Sequence, residues 1–175
     1  MLVSDMILNR LADAGIDTAF IVYGGAMGEL ADAFTRQDRM RYVCTQHEQA
    51  AIFAAEGYSK AKGVPGVVIV TSGPGGGNIV TGLQNCFFDS TPLVAICGQV
   101  STNLMTPPGS RLRQTGFQES PMVAISSPIT KLALTIGMNP YQAISDILVA
   151  IHVCQAGRPG PVVIDLPLDV QRMKV

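Results

Sequence analysis

This sequence is poor in charge. Charged residues fill 14% of the 175 positions, against about 25% in ordinary soluble domains. The two signs nearly cancel, with twelve Lys and Arg against thirteen Asp and Glu for a net charge of −1. With no basic field to hold phosphates, nucleic acid and anionic membrane surfaces are excluded as partners. Long apolar runs are missing too. Residues 147–151 are cut by His152, and nothing approaches the roughly 18 residues needed to span a bilayer. The opening MLVSDMILNR carries Asp5 where a signal peptide has positive charge, so a cytoplasmic protein is expected. The four cysteines, Cys44, Cys86, Cys97 and Cys154, form no C-x-x-C pair. Each lies in an apolar run and reads as a small hydrophobe rather than a disulfide or zinc ligand. With only His47 and His152 besides, no metal site is expected on this chain.

What is present is apolar. Hydrophobic residues make up 47% of the chain, the mean hydropathy is +0.31, and the length suits one domain with a sizeable core. A coat this thin implies that apolar surface is hidden against something else, as in an obligate oligomer or a chain with a partner.

The elements alternate. Ser4 or Asp5 can cap a helix carrying Ile7, Leu8, Leu11 and Ala14, stopped by Gly15. A short strand over 19–23 (AFIVY) breaks at Gly24-Gly25, and Met27, Leu30, Ala31 and Phe34 mark a second helix. A strand over 41–45 is followed by a long alanine-rich helix from His47 to Gly63. Residues 67–71 (VVIVT) are apolar on both faces, the pattern of a central parallel strand. A glycine-rich turn over 72–78 leads into a helix through Leu83, then a buried strand over 93–97 (LVAIC). A short helix follows Gln118, a strand covers 129–136, Asn139-Pro140 opens a helix through Ala156, and a strand over 162–166 (VVIDL) closes the series. Six short strands alternating with helices predict a single α/β domain over 1–175, doubly wound around a mostly parallel sheet.

Ligands of such sheets bind beyond the carboxyl ends of the strands, which selects Tyr23-Gly24-Gly25, His47-Glu48-Gln49, the segment 72–78 (SGPGGGN) and Gly98-Gln99-Val100. The glycine-rich segment lacks the Gly-Lys-Ser/Thr ending of a phosphate loop, and Asn78 stands where a dinucleotide fingerprint has its third glycine. It is either a tight strand-to-helix turn or a place where a ligand meets the backbone. That broken fingerprint disfavours a nucleotide-dependent oxidoreductase. Glu48 opens the alanine-rich helix. The helix N-terminus favours its carboxylate by about 0.3–1 kcal/mol, whereas burial can raise a carboxyl by about 3–5 units. A crevice closed by a partner makes it a proton-trading group near neutral pH; an open one leaves an ordinary first-turn glutamate.

In order along the chain, YGGA, TQHEQAAIFAAEGYSKAKG, TSGPGGGNIVTGLQNCFFDSTPLVAICGQV, GFQE, SPITK and AGRPGPVVIDLPLDVQ closely resemble the N-terminal, pyrimidine-binding domain of thiamine-diphosphate enzymes, the acetolactate synthase branch above all. The resemblance runs from about residue 3 to 171. It implies that Glu48 hydrogen-bonds N1′ of the cofactor's aminopyrimidine, favouring the imino tautomer that takes the thiazolium C2 proton and leaves an ylide to attack a 2-keto acid. It further implies Gly24 and Gly25 beside the cofactor ring, Pro74 and Asn78 at the cofactor, and Phe117, Gln118 and Lys131 near the substrate.

Tyr23 replaces the proline usual before the two glycines, which bears on the cofactor-pocket wall there. The stretch over 101–116 is longer than in the synthases and carries Arg111 and Arg113, either a solvated loop or a contact for an acidic substrate or partner. The Gly-Asp-Gly segment that binds diphosphate and Mg²⁺ in this family is absent from the chain. The resemblance therefore implies half of an active site, with a diphosphate-binding subunit or domain as partner in a homodimer or hetero-oligomer and Mg²⁺ held there. Carboligation and decarboxylation of 2-keto acids are both open. The alternative is a non-catalytic scaffold, or an orphan piece of a longer enzyme, that keeps the fold and the dimer face. In the catalytic case, Ala50, Ala51, Ala54 and Ala55 suit close helix packing at an interface beside Glu48.

Overall fold

A computed structural model describes residues 1–175. Six strands, β1 (Thr18–Ile21), β2 (Arg41–Cys44), β3 (Gly66–Val70), β4 (Leu93–Gln99), β5 (Leu132–Thr135) and β6 (Pro161–Pro167), form one sheet in the order β2-β1-β3-β4-β6-β5. Every pairing is parallel. The central strands are buried along their whole length, and their β-branched residues alternate between faces. Val67 and Ile69 enter one core with α1 (Val3–Asp13), α2 (Gly28–Ala33) and α7 (Pro140–Gln155). Val68 and Val70 enter a second with α3 (Glu48–Lys62) and α5 (Val80–Phe88). This is the expected doubly wound α/β sheet. No helix is long and apolar enough to cross a membrane.

Several local expectations change. α1 starts at Val3, so Ser4 and Asp5 lie inside its first turn; Asp5 Oδ2 folds back to accept the Leu2 N–H at 2.9 Å. The glycine-rich segment is itself a helical turn, α4 (Pro74–Asn78), with proline at its first position, and α5 continues past Leu83 to Phe88. β5 begins at Leu132, because Ser127–Ile129 coil into a 3₁₀ turn after α6 (Met122–Ser126). β2 is an edge strand exposed at all four residues, which leaves Cys44 exposed rather than buried. Burial pushes the thiols of Cys86 and Cys154 up to about 12 and that of Cys97 higher still, so these three act as apolar filling.

α3 also presents a different face from the one expected. Ala51 and Ala55 are buried against their own sheet, while Ala50 and Phe53 face outward. Glu56, buried on α3, accepts from Asn85 Nδ2 of α5 at 2.8 Å and from Lys60 Nζ at 2.6 Å, locking the two helices together. α8 (Leu168–Gln171) follows β6, and the chain ends meet where Val3 N–H donates to Met173 O at 2.9 Å.

Candidate active site

The strand order reverses between β1 and β3: from β1 the chain moves outward to β2, and from β3 the opposite way to β4. The loops leaving β1 and β3 therefore diverge and open a crevice at the carboxyl rim. Close backbone approach shapes its floor. A methyl group on Gly24 would lie 2.4 Å from Thr71 Cβ, and one on Gly98 would lie 2.3 Å from Ala26 O. Thr71 Oγ1 accepts the Ala26 N–H at 3.2 Å, tying the first loop to the end of β3.

Glu48 is the first residue of α3, after His47, whose Nδ1 accepts the Gln49 N–H at 3.1 Å as an N-cap. Its half-buried carboxylate meets the last residue of α4: Asn78 Nδ2 donates to Oε2 at 2.8 Å. Oε1 accepts no hydrogen bond within the chain, and a methyl on Gly75 would stand 3.5 Å from it. Oε1 thus stays without a partner beside the glycine-rich turn, whose Gly75 and Gly76 are packed against Thr71 and Met122.

Across the crevice, Gly73 adopts φ +60, and a methyl there would press within 2.5 Å of Gln118 O. Gln118 itself is held at φ 53, a left-handed conformation uncommon outside glycine. It is fixed by Glu119, whose carboxylate accepts from Thr106 N and Oγ1 at 2.7 Å each, Thr115 N at 3.2 Å and Gly116 N at 3.3 Å. Burial raises the Glu119 carboxyl, but these donors outweigh it and hold its pKa below the usual value. Behind them, Asp165 near the end of β6 is 2% exposed. It accepts from Gln99 Nε2 at 3.2–3.3 Å and Thr135 Oγ1 at 3.1 Å. Burial pushes its pKa up to about 6 against these hydrogen bonds.

The structure thus brings together Glu48 and Asn78 on one side, and Gly24, Gly25, Phe117 and Gln118 around a neighbouring cavity of about 420 Å³. Pro74 is exposed at the start of α4. The Tyr23 side chain, 67% exposed, lines a separate depression with Tyr42 and Cys44. Lys131 is not brought to this group. It precedes β5 at the amino rim of the sheet, where its Nζ donates to Ala156 O. Residue patterns did not select Thr71, Leu104, Asp165 or Leu168, although a lone acid inside the doubly buried run VVIDL was a signal for Asp165.

The family model for the N-terminal TPP binding domain of thiamine pyrophosphate enzymes matches residues 1–127. Acetolactate synthase 2 of Nicotiana tabacum is 41% identical over 172 residues, covering 98% of this chain and 25% of the relative. The chloroplastic acetolactate synthase of Arabidopsis thaliana is 40% identical over 169 residues, 97% of this chain and 24% of its own length. The isozyme 3 large subunit of Escherichia coli is 39% identical over 168 residues, 95% and 28% respectively. The chain spans about a quarter of the length of these relatives. With the site and these similarities in hand, the chain belongs to the thiamine pyrophosphate enzymes, as an N-terminal TPP binding domain of the acetolactate synthase kind.

Proposed function

We propose that the carboxyl-rim crevice receives the aminopyrimidine end of thiamine diphosphate, and that the chain acts on 2-keto acids, by carboligation or decarboxylation, together with a chain or domain that binds the diphosphate and Mg²⁺. One observation carries the reading: Glu48, at the carboxyl rim, has one oxygen held by Asn78 and the other without a hydrogen-bond partner in the chain. A flat heteroaromatic ring fits beside it, because Gly25 lines the adjoining cavity with no side chain and has nothing within 4 Å of where a methyl would be. When bound, the cofactor supplies a carbon nucleophile toward the keto group.

This chain's residues bind, orient and move the proton. Asn78 fixes the carboxylate rotamer, so the free Oε1 presents to a ring nitrogen. There it exchanges a proton with the ring. Gly24 and Gly25 bring the backbone close to the ring, and Phe117 and Gln118 form the wall on the substrate side. Phe53, exposed on α3 five residues after Glu48, supports a partner chain beside the site.

The test is to purify the chain in complex with a diphosphate-binding chain co-expressed from the neighbouring reading frame. Decarboxylation of 2-keto acids is then assayed with and without thiamine diphosphate and Mg²⁺. Cofactor-dependent turnover is expected, with Glu48→Gln reducing it by at least about 100-fold. Undiminished turnover in that variant removes Glu48 from the mechanism.

A further inference from the structure

This inference rests on the cofactor reading above and concerns His47, the exposed residue in front of Glu48. Three hydrogen bonds build the turn in which it stands. Thr45 N–H donates to Ile21 O at 3.0 Å, fixing the turn to the end of β1. Thr45 Oγ1 donates to His47 O at 2.9 Å. His47 O also accepts the Ala51 N–H at 3.1 Å, the first bond of α3. The imidazole adds a fourth: Nδ1 accepts the Gln49 N–H at 3.1 Å, one of the donors that a helix start leaves without an intrahelical partner.

Nδ1 accepts a hydrogen bond only while its lone pair is free, which requires a neutral imidazole with its proton on Nε2. Protonation turns that acceptor into a second donor facing the Gln49 N–H, and sets a positive charge at the positive end of the helix dipole. Both effects loosen the first turn of α3. Glu48 is the first residue of that turn, and Asn78 Nδ2 holds its Oε2 at 2.8 Å, so a loosened turn displaces the carboxylate. The usual N-caps are Ser, Thr, Asp and Asn; an Asn oxygen caps without ever titrating, whereas His47 caps in one charge state alone. Few other charges bear on it. Of the elements packed against α3, α4, β1 and β3 hold no ionisable side chain, and α5 and β4 hold only the buried thiols Cys86 and Cys97. Arg41, Tyr42 and Cys44 lie on β2, and Tyr23 follows β1. Later in α3, Glu56, Tyr58, Lys60 and Lys62 are engaged with Asn85, Asp89 and Asp17. Glu48 is therefore the one carboxylate in the helix turn that His47 caps.

We propose that His47 is a positioning residue for Glu48: neutral, it caps α3 and holds the carboxylate toward the cofactor ring; protonated, it releases the cap and weakens ring binding. The apparent affinity for the ring then follows the fraction of chains whose first turn is ordered.

The experiment compares wild type, His47→Asn and His47→Ala by NMR titration of the full-length chain with the probe 4-amino-5-hydroxymethyl-2-methylpyrimidine. It is run at about pH 5 and about pH 8, the range over which histidine side chains change charge. Titration of the probe and of Glu48 is common to the three proteins, so affinity ratios between them isolate His47. At the higher pH, His47→Asn is expected to bind as wild type does and His47→Ala about threefold more weakly, within the roughly fivefold, or about 1 kcal/mol, that an N-cap is worth. At the lower pH, wild type falls to about threefold below His47→Asn. In the probe-free chain, imidazole nitrogen shifts place the proton on Nε2 at the higher pH, and the Asn78 side-chain amide resonance moves more on acidification in wild type than in His47→Asn. A purely structural histidine lowers stability when replaced by alanine but gives a wild-type to His47→Asn affinity ratio independent of pH; that result overturns the proposal. Tight binding by His47→Ala at the higher pH, equal to wild type, overturns it too. If the probe shifts Glu48 in none of the three proteins, the cofactor reading fails. The positioning of Glu48 by His47 then stands if Asn78 still responds to His47 protonation, and falls if it does not.

Discussion

The two rims of the sheet are built to opposite specifications. At the amino rim, charges are spent on the chain's own helix ends. Lys131 Nζ donates to Ala156 O just past α7, and Arg158 donates to Ser90 Oγ at 2.7 Å and to Phe88 O at 3.2 Å at the end of α5. These cations meet the negative ends of two helices and answer carbonyls that have no intrahelical donor. At the carboxyl rim the polar groups are aimed outward. Glu48 keeps an oxygen without a partner, and Phe117 stands in solvent. One rim closes the fold on itself, and the other leaves a carboxylate oxygen and an aromatic ring unpartnered.

The largest test of this contrast compares two glycines. Gly98 at the carboxyl rim has the Ala26 carbonyl oxygen 2.3 Å from where a methyl would be. Because the obstacle is backbone, Gly98→Ala is expected to cost about 3 kcal/mol in urea denaturation and to distort the crevice floor. Gly157 at the amino rim sits at φ +59 with nothing within 4 Å of a methyl. Its alanine variant costs only the left-handed strain, about 1 kcal/mol. Equal losses would mean that the carboxyl rim is no more tightly built than the other.

A smaller effect follows from Asp165, the one acid sealed beneath the carboxyl rim. Its folded pKa of about 6 lies above the roughly 3.9 of an unfolded aspartate. The folded state therefore binds the extra proton, and stability falls as pH rises from about 4 to 6 before levelling. The penalty is on the order of 2 kcal/mol above that window. Glu119, whose pKa is lowered, contributes in the opposite direction, losing stability as pH falls. The two are separated by urea denaturation of wild type and Asp165→Asn at pH 4.5 and 7.5. The variant is expected to lose less stability, or gain more, between the two pH values than wild type. An identical pH difference in both proteins would show that Asp165 ionises in the folded state as it does in water.

Much of the fold was legible because its signals are local. The run VVIVT is apolar on both faces and could only be a covered strand, and Asn139 does cap α7, its Oδ1 accepting from Tyr141 N at 3.0 Å and Gln142 N at 3.1 Å. The misjudged places depend on distant neighbours. Three consecutive glycines predict a turn, yet α4 is helical; Gly76 there packs so closely on Met122 that a methyl would lie 2.7 Å from its sulfur. The exposure of Cys44 follows from β2 being an edge strand, which depends on strand order rather than on its own residues. Within the site, Glu48 and Asn78 sit at element ends that motif and topology both mark. Leu104 and Leu168 are ordinary leucines that become a wall only when the loops after β4 and β6 are folded toward each other.

Lys131 gives the smallest and most discriminating test. By resemblance it was expected beside the substrate, but strand direction places it at the start of β5, where its N–H donates to Pro161 O at 2.8 Å. Its stem covers Gly160, with Cγ and Cδ 3.2 Å from where a methyl would be. Its function within this chain is then to cap α7 and shield the start of β6. Removing a half-exposed side chain with one hydrogen bond costs less than about 1 kcal/mol. Lys131→Ala is thus expected to lower the urea midpoint slightly and to leave the affinity of the aminopyrimidine probe at Glu48 unchanged. A loss of that affinity without loss of stability would join the two rims functionally and dissolve the division of labour between them.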